Sequence, residues 1–377
     1  MARIDAVDPG IRRRDPAGER DGIVHVRTPR LAAAAALVAV SLSPPLGASS
    51  ADPDPVALPA VLASFLTGEA HGSASDRDLL LAGEPLVKLL DADPAREVAV
   101  LGAVWVNAPS TLYVQQVKRI EELERGRAFP ITRRISDPPV PDDFAAMEIS
   151  DKDFDDLKGC KIGDCLVKLD ADAMRTLRAE VDWSRPTAKA EATAVFRRLA
   201  LQYVNAYREG GNARLAVYRD KDRPAFVASE FRSMIDRLPR LAGEWPDLRQ
   251  YLLEYPEATL PDSSNFLYWQ EVQFGLRPTI RINHLVIRER PDETVVASKM
   301  LYASHYFWTS LELRVLLADP ARRPGFWLVT VTRSRSDALG GFTGRAIRSR
   351  VRAEVQNGTR AALTSVKRKL ESVAQGG

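Results

Sequence analysis

The sequence predicts an α+β fold: an antiparallel sheet that carries a long C-terminal helix, with a mainly helical lobe inserted into it. Three observations lead there. Roughly the last hundred residues hold four runs rich in Val, Leu and Ile: Thr279–Arg288, Thr294–Tyr306, Leu311–Leu317 and Gly325–Ser334. The turns between them, at Pro291-Asp292-Glu293 and from Pro320 to Pro324, are short, which makes neighbouring strands antiparallel. A helix then runs from about Phe342 to Val373, with Phe342, Ala346, Val351, Val355, Ala362, Val366, Leu370 and Val373 along one stripe that needs an apolar partner. Between Asp137 and Gly275 the apolar spacing is helical instead.

Taken in order, the first feature is an expected export signal. Arg27 and Arg30 precede the apolar run Leu31–Val40, and Ala48-Ser49-Ser50-Ala51 supplies the small residues of a cleavage site before Asp52. The run is too short for a membrane anchor, since Pro44-Pro45 breaks it well before the roughly 20 residues a spanning helix needs. Residues 1–51 are thus expected to be removed and the protein to be exported, periplasmic or extracellular. Residues 1–25 fit no part of such a signal and read as a mis-assigned start, with synthesis beginning at Val24 or Val26. An N-terminal segment, 52–83, holds a short apolar helix at Val56–Leu66. Glu84–Asp91 and Glu97–Asn107 flank Ala92-Asp93-Pro94-Ala95 as a hairpin, and Pro109 opens a helix with Leu112, Val117, Ile120 and Leu123 at helical intervals. In the block 137–275, the clearest helix starts at Pro186 and ends at Gly210-Gly211, with Pro inside the start and Gly past the end. Shorter helices are expected at Asp172–Val181, Val227–Leu238, Pro246–Tyr255 and Ser264–Phe274. The sheet and last helix would then be built from residues 84–136 and 276–377.

The 377 residues, 45% hydrophobic, suffice for a stable core. Without residues 1–51, which hold seven basic and five acidic side chains, the formal charge falls from +3 to about +1. That balance lacks the positive excess with which proteins displace counterions from nucleic acid, so no nucleic-acid partner is expected. Both cysteines, Cys160 and Cys165, lie in one short segment, and an oxidising compartment would join them in a disulfide. Their spacing is not that of a thioredoxin-like pair, and a zinc site would need two further ligands, with no His nearby in sequence. No cofactor or metal is expected.

Two resemblances follow. The order of hairpin, helix after Asn107-Ala108-Pro109, antiparallel strands and long C-terminal helix resembles the helix-grip fold of START and polyketide-cyclase-type proteins, over residues 84–125 and 276–374. It implies a cavity between curved sheet and last helix that holds an apolar or lipid-like guest. Cys160–Leu169, Val181-Asp182-Trp183-Ser184 and Ala297–Tyr306 resemble a bacterial family of exported proteins to which no chemistry is attached.

Pairing the strands around Pro291-Asp292-Glu293 so that opposed numbers sum to about 584 puts Ile282, His284, Val286, Met300 and Tyr302 on one face. Arg281, Asn283, Leu285, Leu301, Ala303 and His305 fall on the other. The second face mixes polar with apolar groups as a ligand site does, so Arg281, Asn283 and His305 are candidate contacts, with Tyr302 beside them. His284, among apolar neighbours, reads as a satisfied core histidine. Arg333 and Arg335 precede Gly340-Gly341-Phe342-Thr343-Gly344 and the last helix; strand, glycines and helix start can form an anion site. The last helix carries Arg345, Arg348, Arg350, Arg352, Arg360, Lys367, Arg368 and Lys369 against Glu354 and Glu371, a basic face suited to an anionic membrane surface. Phe266, Tyr268, Trp269 and Phe274 are expected to pack as a helix. No G-x-S-x-G, H-E-x-x-H or Gly-Lys-Ser/Thr motif occurs, and His305, with Tyr302 or Asp337, is the weak candidate for acid/base chemistry. The leading expectation is an exported protein binding an apolar or amphipathic molecule between sheet and last helix. The alternatives are a cyclase- or hydrolase-type enzyme using His305, and a cell-envelope interaction protein with a filled core.

Overall fold

The computed structural model describes residues 58–274, 277–337, 339–340 and 344–376. The export signal, the start of the first expected helix and most of the glycine segment at 340–344 lie outside these residues. The described fold is α+β, with a large antiparallel sheet and a long C-terminal helix. In chain order the helices are α1 (Ala60–Gly68), α2 (Ala74–Leu81), α3 (Ser110–Lys118), α4 (Ile120–Leu123), α5 (Asp151–Gly159) and α6 (Ala171–Glu180). They continue with α7 (Ala188–Gly210), α8 (Val227–Ile235), α9 (Pro239–Glu244), α10 (Pro246–Glu254) and α11 (Gly344–Gly376). The strands are β1 (Leu86–Leu89), β2 (Glu97–Val106), β3 (Ile131–Arg134), β4 (Val217–Tyr218), β5 (Ala225–Phe226) and β6 (Ser263–Phe274). The last four are β7 (Arg277–Arg290), β8 (Glu293–Ala303), β9 (Phe307–Ala318) and β10 (Phe326–Ser336).

Eight strands form one antiparallel sheet in the order β1-β2-β10-β9-β8-β7-β6-β3. The hairpin, the four C-terminal strands and most of the helices stand where the sequence puts them, but β6 does not. Ser264–Phe274 was expected as a helix and is a strand paired with β7 over its whole length. Phe266 to Trp269 are apolar in succession because both faces are covered there, with Phe266 and Tyr268 on one side and Leu267 and Trp269 on the other. A doubly covered strand shows no alternation, and without alternation its period cannot be read. Phe266, Tyr268 and Trp269 therefore pack from a strand. The helix after Pro109 is also divided, at Arg119, into α3 and α4.

The helices sit in two layers. One face of the sheet, represented by Val98, Val100, Leu285, Ile287, Val296, Leu316 and Leu328, packs against α3, α4 and the stripe Val351, Val355, Leu363, Val366 and Leu370 of α11. The stripe ends there, because Val373 is half exposed. The other face meets α1, α8, α9 and α10 through Leu101, Leu313, Val315 and Trp327, and α5, α6 and α7 through Leu267, Trp269, Ile280, Ile282 and Tyr302. The α11 helix can approach β2 because position 102 is glycine: a Cβ there would stand 2.8 Å from Leu363, Thr359 and Thr330 atoms.

Candidate functional site

On the face away from α11, the second layer leaves a cleft of about 420 Å³. Its far wall is α7, where Phe196, Leu199, Ala200, Tyr203 and Ala206 recur at helical spacing. A second wall comes from Leu169 and the first turn of α6, whose N-terminus is capped by Asp170 accepting from the Ala173 N–H at 2.7 Å. The floor is sheet: Ile280 and Ile282 of β7 and Tyr302 of β8, closed by Met147 and Ala216. Four alanines, Ala173, Ala200, Ala206 and Ala216, stop short of the space that larger side chains would fill.

The aromatic rings in the cleft are fixed. Tyr302 lies 6.4 Å from Phe196 and 6.1 Å from Tyr203, ring centre to ring centre. Each phenol is spent on backbone: Tyr203 donates to the Leu301 carbonyl at 2.7 Å and Tyr302 to the Lys168 carbonyl at 3.0 Å. Burial raises both phenols above their ordinary ionisation, so they stay neutral. The inner surface is therefore apolar, and the polar lining groups Asp170, Asp172, Gln202 and Arg214 sit at half-buried or exposed positions around the opening. Such a wall holds an apolar body by shape and offers no nucleophile.

The six sequence candidates do not converge. Tyr302 alone lines this cleft. The registry of β7 and β8 explains part of the scatter: numbers sum to 584 at Arg281↔Ala303 and Ile282↔Tyr302, then a bulge shifts the pairing to Asn283↔Met300 and His284↔Lys299. That slip moves Met300 to the face of Asn283, while Leu301 packs with Ile282 and Tyr302. Arg281 and Asn283 lie on the α11 side and both donate to Gln270 Oε1. Together with Glu124, Tyr268, Glu312 and Thr332 they line a polar cavity of about 10 Å³. A neighbouring cavity under α11, lined by Tyr113, Arg314, Leu363 and Val366 among others, holds about 20 Å³. Each has room for about one water.

His305 is buried between two acceptors, the Leu166 carbonyl at 3.0 Å from Nδ1 and Asp153 Oδ1 at 3.0 Å from Nε2. Burial would raise the Asp153 carboxyl, but its bonds to His305, Ser150 and Arg277 hold it below the usual carboxylate value. Asp337, its suggested partner, instead pairs with Lys168 at 2.6 Å. Arg333 and Arg335 are buried rather than facing water: both bind the fully buried Glu97 carboxylate, and Arg335 also reaches Glu230 at 2.6 Å. His284 is a satisfied core histidine, with Tyr207 Oη 2.9 Å from Nδ1 and Asn265 Oδ1 3.2 Å from Nε2.

Sequence reasoning missed Lys299, which the bulge turns onto the His284 side. It is fully buried, donates to Asn212, to Tyr207 Oη and to the Leu252 carbonyl, and among the described residues has no carboxylate partner. Burial lowers its ammonium to about 7. Among the described residues no cluster of three or more His, Cys, Asp and Glu side chains is arranged to hold a metal ion. Cys160 and Cys165 are joined in a disulfide, and among the described residues no helix is long and apolar enough to cross a membrane. No family model, curated protein or solved structure matches the chain.

Proposed function

We propose that this is an exported binding protein that takes an apolar or amphipathic small molecule, of lipid-like character, into the cleft between α6, α7 and strands β7 and β8. The observation that carries this reading is the cleft itself. Its volume of about 420 Å³ falls within the roughly 300–1,000 Å³ of small-molecule sites, and its inner wall is apolar with the phenols already satisfied. The guest thus lies on the opposite face of the sheet from the last helix, where the two cavities described above take about a water each. The element order supports reading β1, β2, β7–β10 and α11 as a helix-grip unit, with the helices between β3 and β6 as its insertion. Exposed Arg350, Arg352 and Arg368 on α11 support a peripheral contact with anionic lipid. Nothing in the cleft favours the enzyme alternative, because His305 does not line it and both of its ring nitrogens are engaged.

The test is to fill the cleft. N-phenyl-1-naphthylamine, a neutral probe that brightens in apolar surroundings, should bind the wild-type chain and lose at least about tenfold in affinity to Ala200→Trp, at unchanged circular dichroism. Ala206→Leu, a smaller fill, serves if the first variant does not fold. Undiminished binding in a folded filled variant overturns the reading.

A further inference from the structure

The charges at the opening of the cleft come from two separate segments. Asp170 caps α6 and Asp172 stands in its first turn, whereas Arg214 comes from the turn that follows α7. Among the lining residues these three are the charged ones, beside the neutral Gln202. Asp170 is already engaged as the cap of α6, and Asp172, with 82% of its side chain exposed, shares only a solvent-screened contact with Arg175 on its own helix. Arg214 is exposed and makes no ion pair among those described. A guest whose apolar body occupies the interior must present its head to this rim, since no polar group on the inner wall is free to receive it.

We propose that the preferred guest is a single-chain amphiphile with a zwitterionic head, its ammonium set against the α6 carboxylates and its phosphate or carboxylate against Arg214. This deepens the reading above and rests on it. A purely cationic head leaves Arg214 opposed by like charge, and a purely anionic head leaves Asp170 and Asp172 so opposed. A zwitterion is the head that answers both walls at once.

The experiment is calorimetric titration of the full chain with decylphosphocholine, decyltrimethylammonium and decyl sulfate, each below its micelle concentration. The wild-type chain should bind decylphosphocholine tightest. Arg214→Gln should erase its advantage over decyltrimethylammonium, and Asp172→Asn its advantage over decyl sulfate, each by roughly twofold to fivefold, the worth of a solvent-screened pair. Asp172 is chosen over Asp170 because the latter also holds the helix end. Equal binding of the three heads, a preference for either singly charged one, or variants that weaken all three alike would overturn the zwitterion while leaving the cleft as the site. Absence of binding by any of them, or binding that survives Ala200→Trp, would overturn the cleft reading as well.

Discussion

Lys299 is the residue at which burial and ionisation conflict most openly. Its ammonium is surrounded by neutral acceptors and by the rings of Tyr207 and Phe231, with ring centres 5.1 Å and 4.6 Å away, and burial lowers it to about 7. In the unfolded chain the same amine titrates near 10.4. Between those values the unfolded state holds a proton that the folded state does not, so stability rises as pH increases from about 7 to about 10 and its penalty is complete below 7. Lys299→Met should raise stability at neutral pH by about 1–4 kcal/mol and flatten that slope, as measured by urea unfolding across the range. His284 adds a second slope of the same sign at lower pH. Burial first, and the neighbouring Lys299 second, lower it to about 3, so stability falls as pH drops from the ordinary histidine value toward 3. Unfolding midpoints of His284→Gln that still track the wild type through this acid window would refute the assignment. Arg333 and Arg335 show the opposite solution, since buried guanidinium groups are held by the equally buried Glu97.

At the scale of elements, the contact of α11 with β2 depends on the absence of a side chain at Gly102. Gly102→Ala would drive a Cβ within 2.8 Å of Leu363 Cδ1, Thr359 Cγ2 and Thr330 Oγ1. The neighbours are side-chain ends that can shift in part, so the expected loss is about 1–3 kcal/mol. Leu363→Ala, which relieves the crowding from the other side, should recover part of that loss in the double variant, and strict additivity would show that the two do not touch. The end of α7 has a stricter demand. Gly211 adopts φ +53° against the backbone of Tyr255, where any Cβ would collide, which is the physical content of the Gly-Gly pair that closes this helix in the sequence.

For the whole molecule, the disulfide and the loop docked around it fasten the helices of the second layer. Gly163 and Cys165 donate through their backbones to Arg219 and Asp220, beside the small β4–β5 pair, and Lys168 donates to Ser304 next to β8. In the chain-entropy account, closing so small a loop restricts the unfolded chain by about 2 kcal/mol. Reductant should therefore lower the thermal midpoint by a few degrees, and a midpoint indifferent to reductant would show that the bond contributes nothing to folding. Because the loop closes at Cys165, three residues before Lys168, whose carbonyl holds Tyr302, reduction is also expected to loosen the floor of the cleft.

The sequence by itself determined the class, the hairpin, the four C-terminal strands and the pairing direction, because turns rich in Pro, Asp and Gly and stripes of Val and Leu act over a few residues. It also made the cysteine pair legible, since its six-residue segment leaves little freedom of partner. It did not determine β6, whose stretch Phe266–Trp269 is covered on both faces and so shows no alternation, nor the bulge that turns Lys299 to the side of His284 and Met300 to that of Asn283. Above all, only the tertiary structure decided which face holds guest-sized room. Ala200, Ala206 and Ala216 read in sequence as ordinary helix or loop residues, and they become a cleft only where three separate segments meet across a sheet. A void is made by what distant side chains fail to reach, and no local pattern records that.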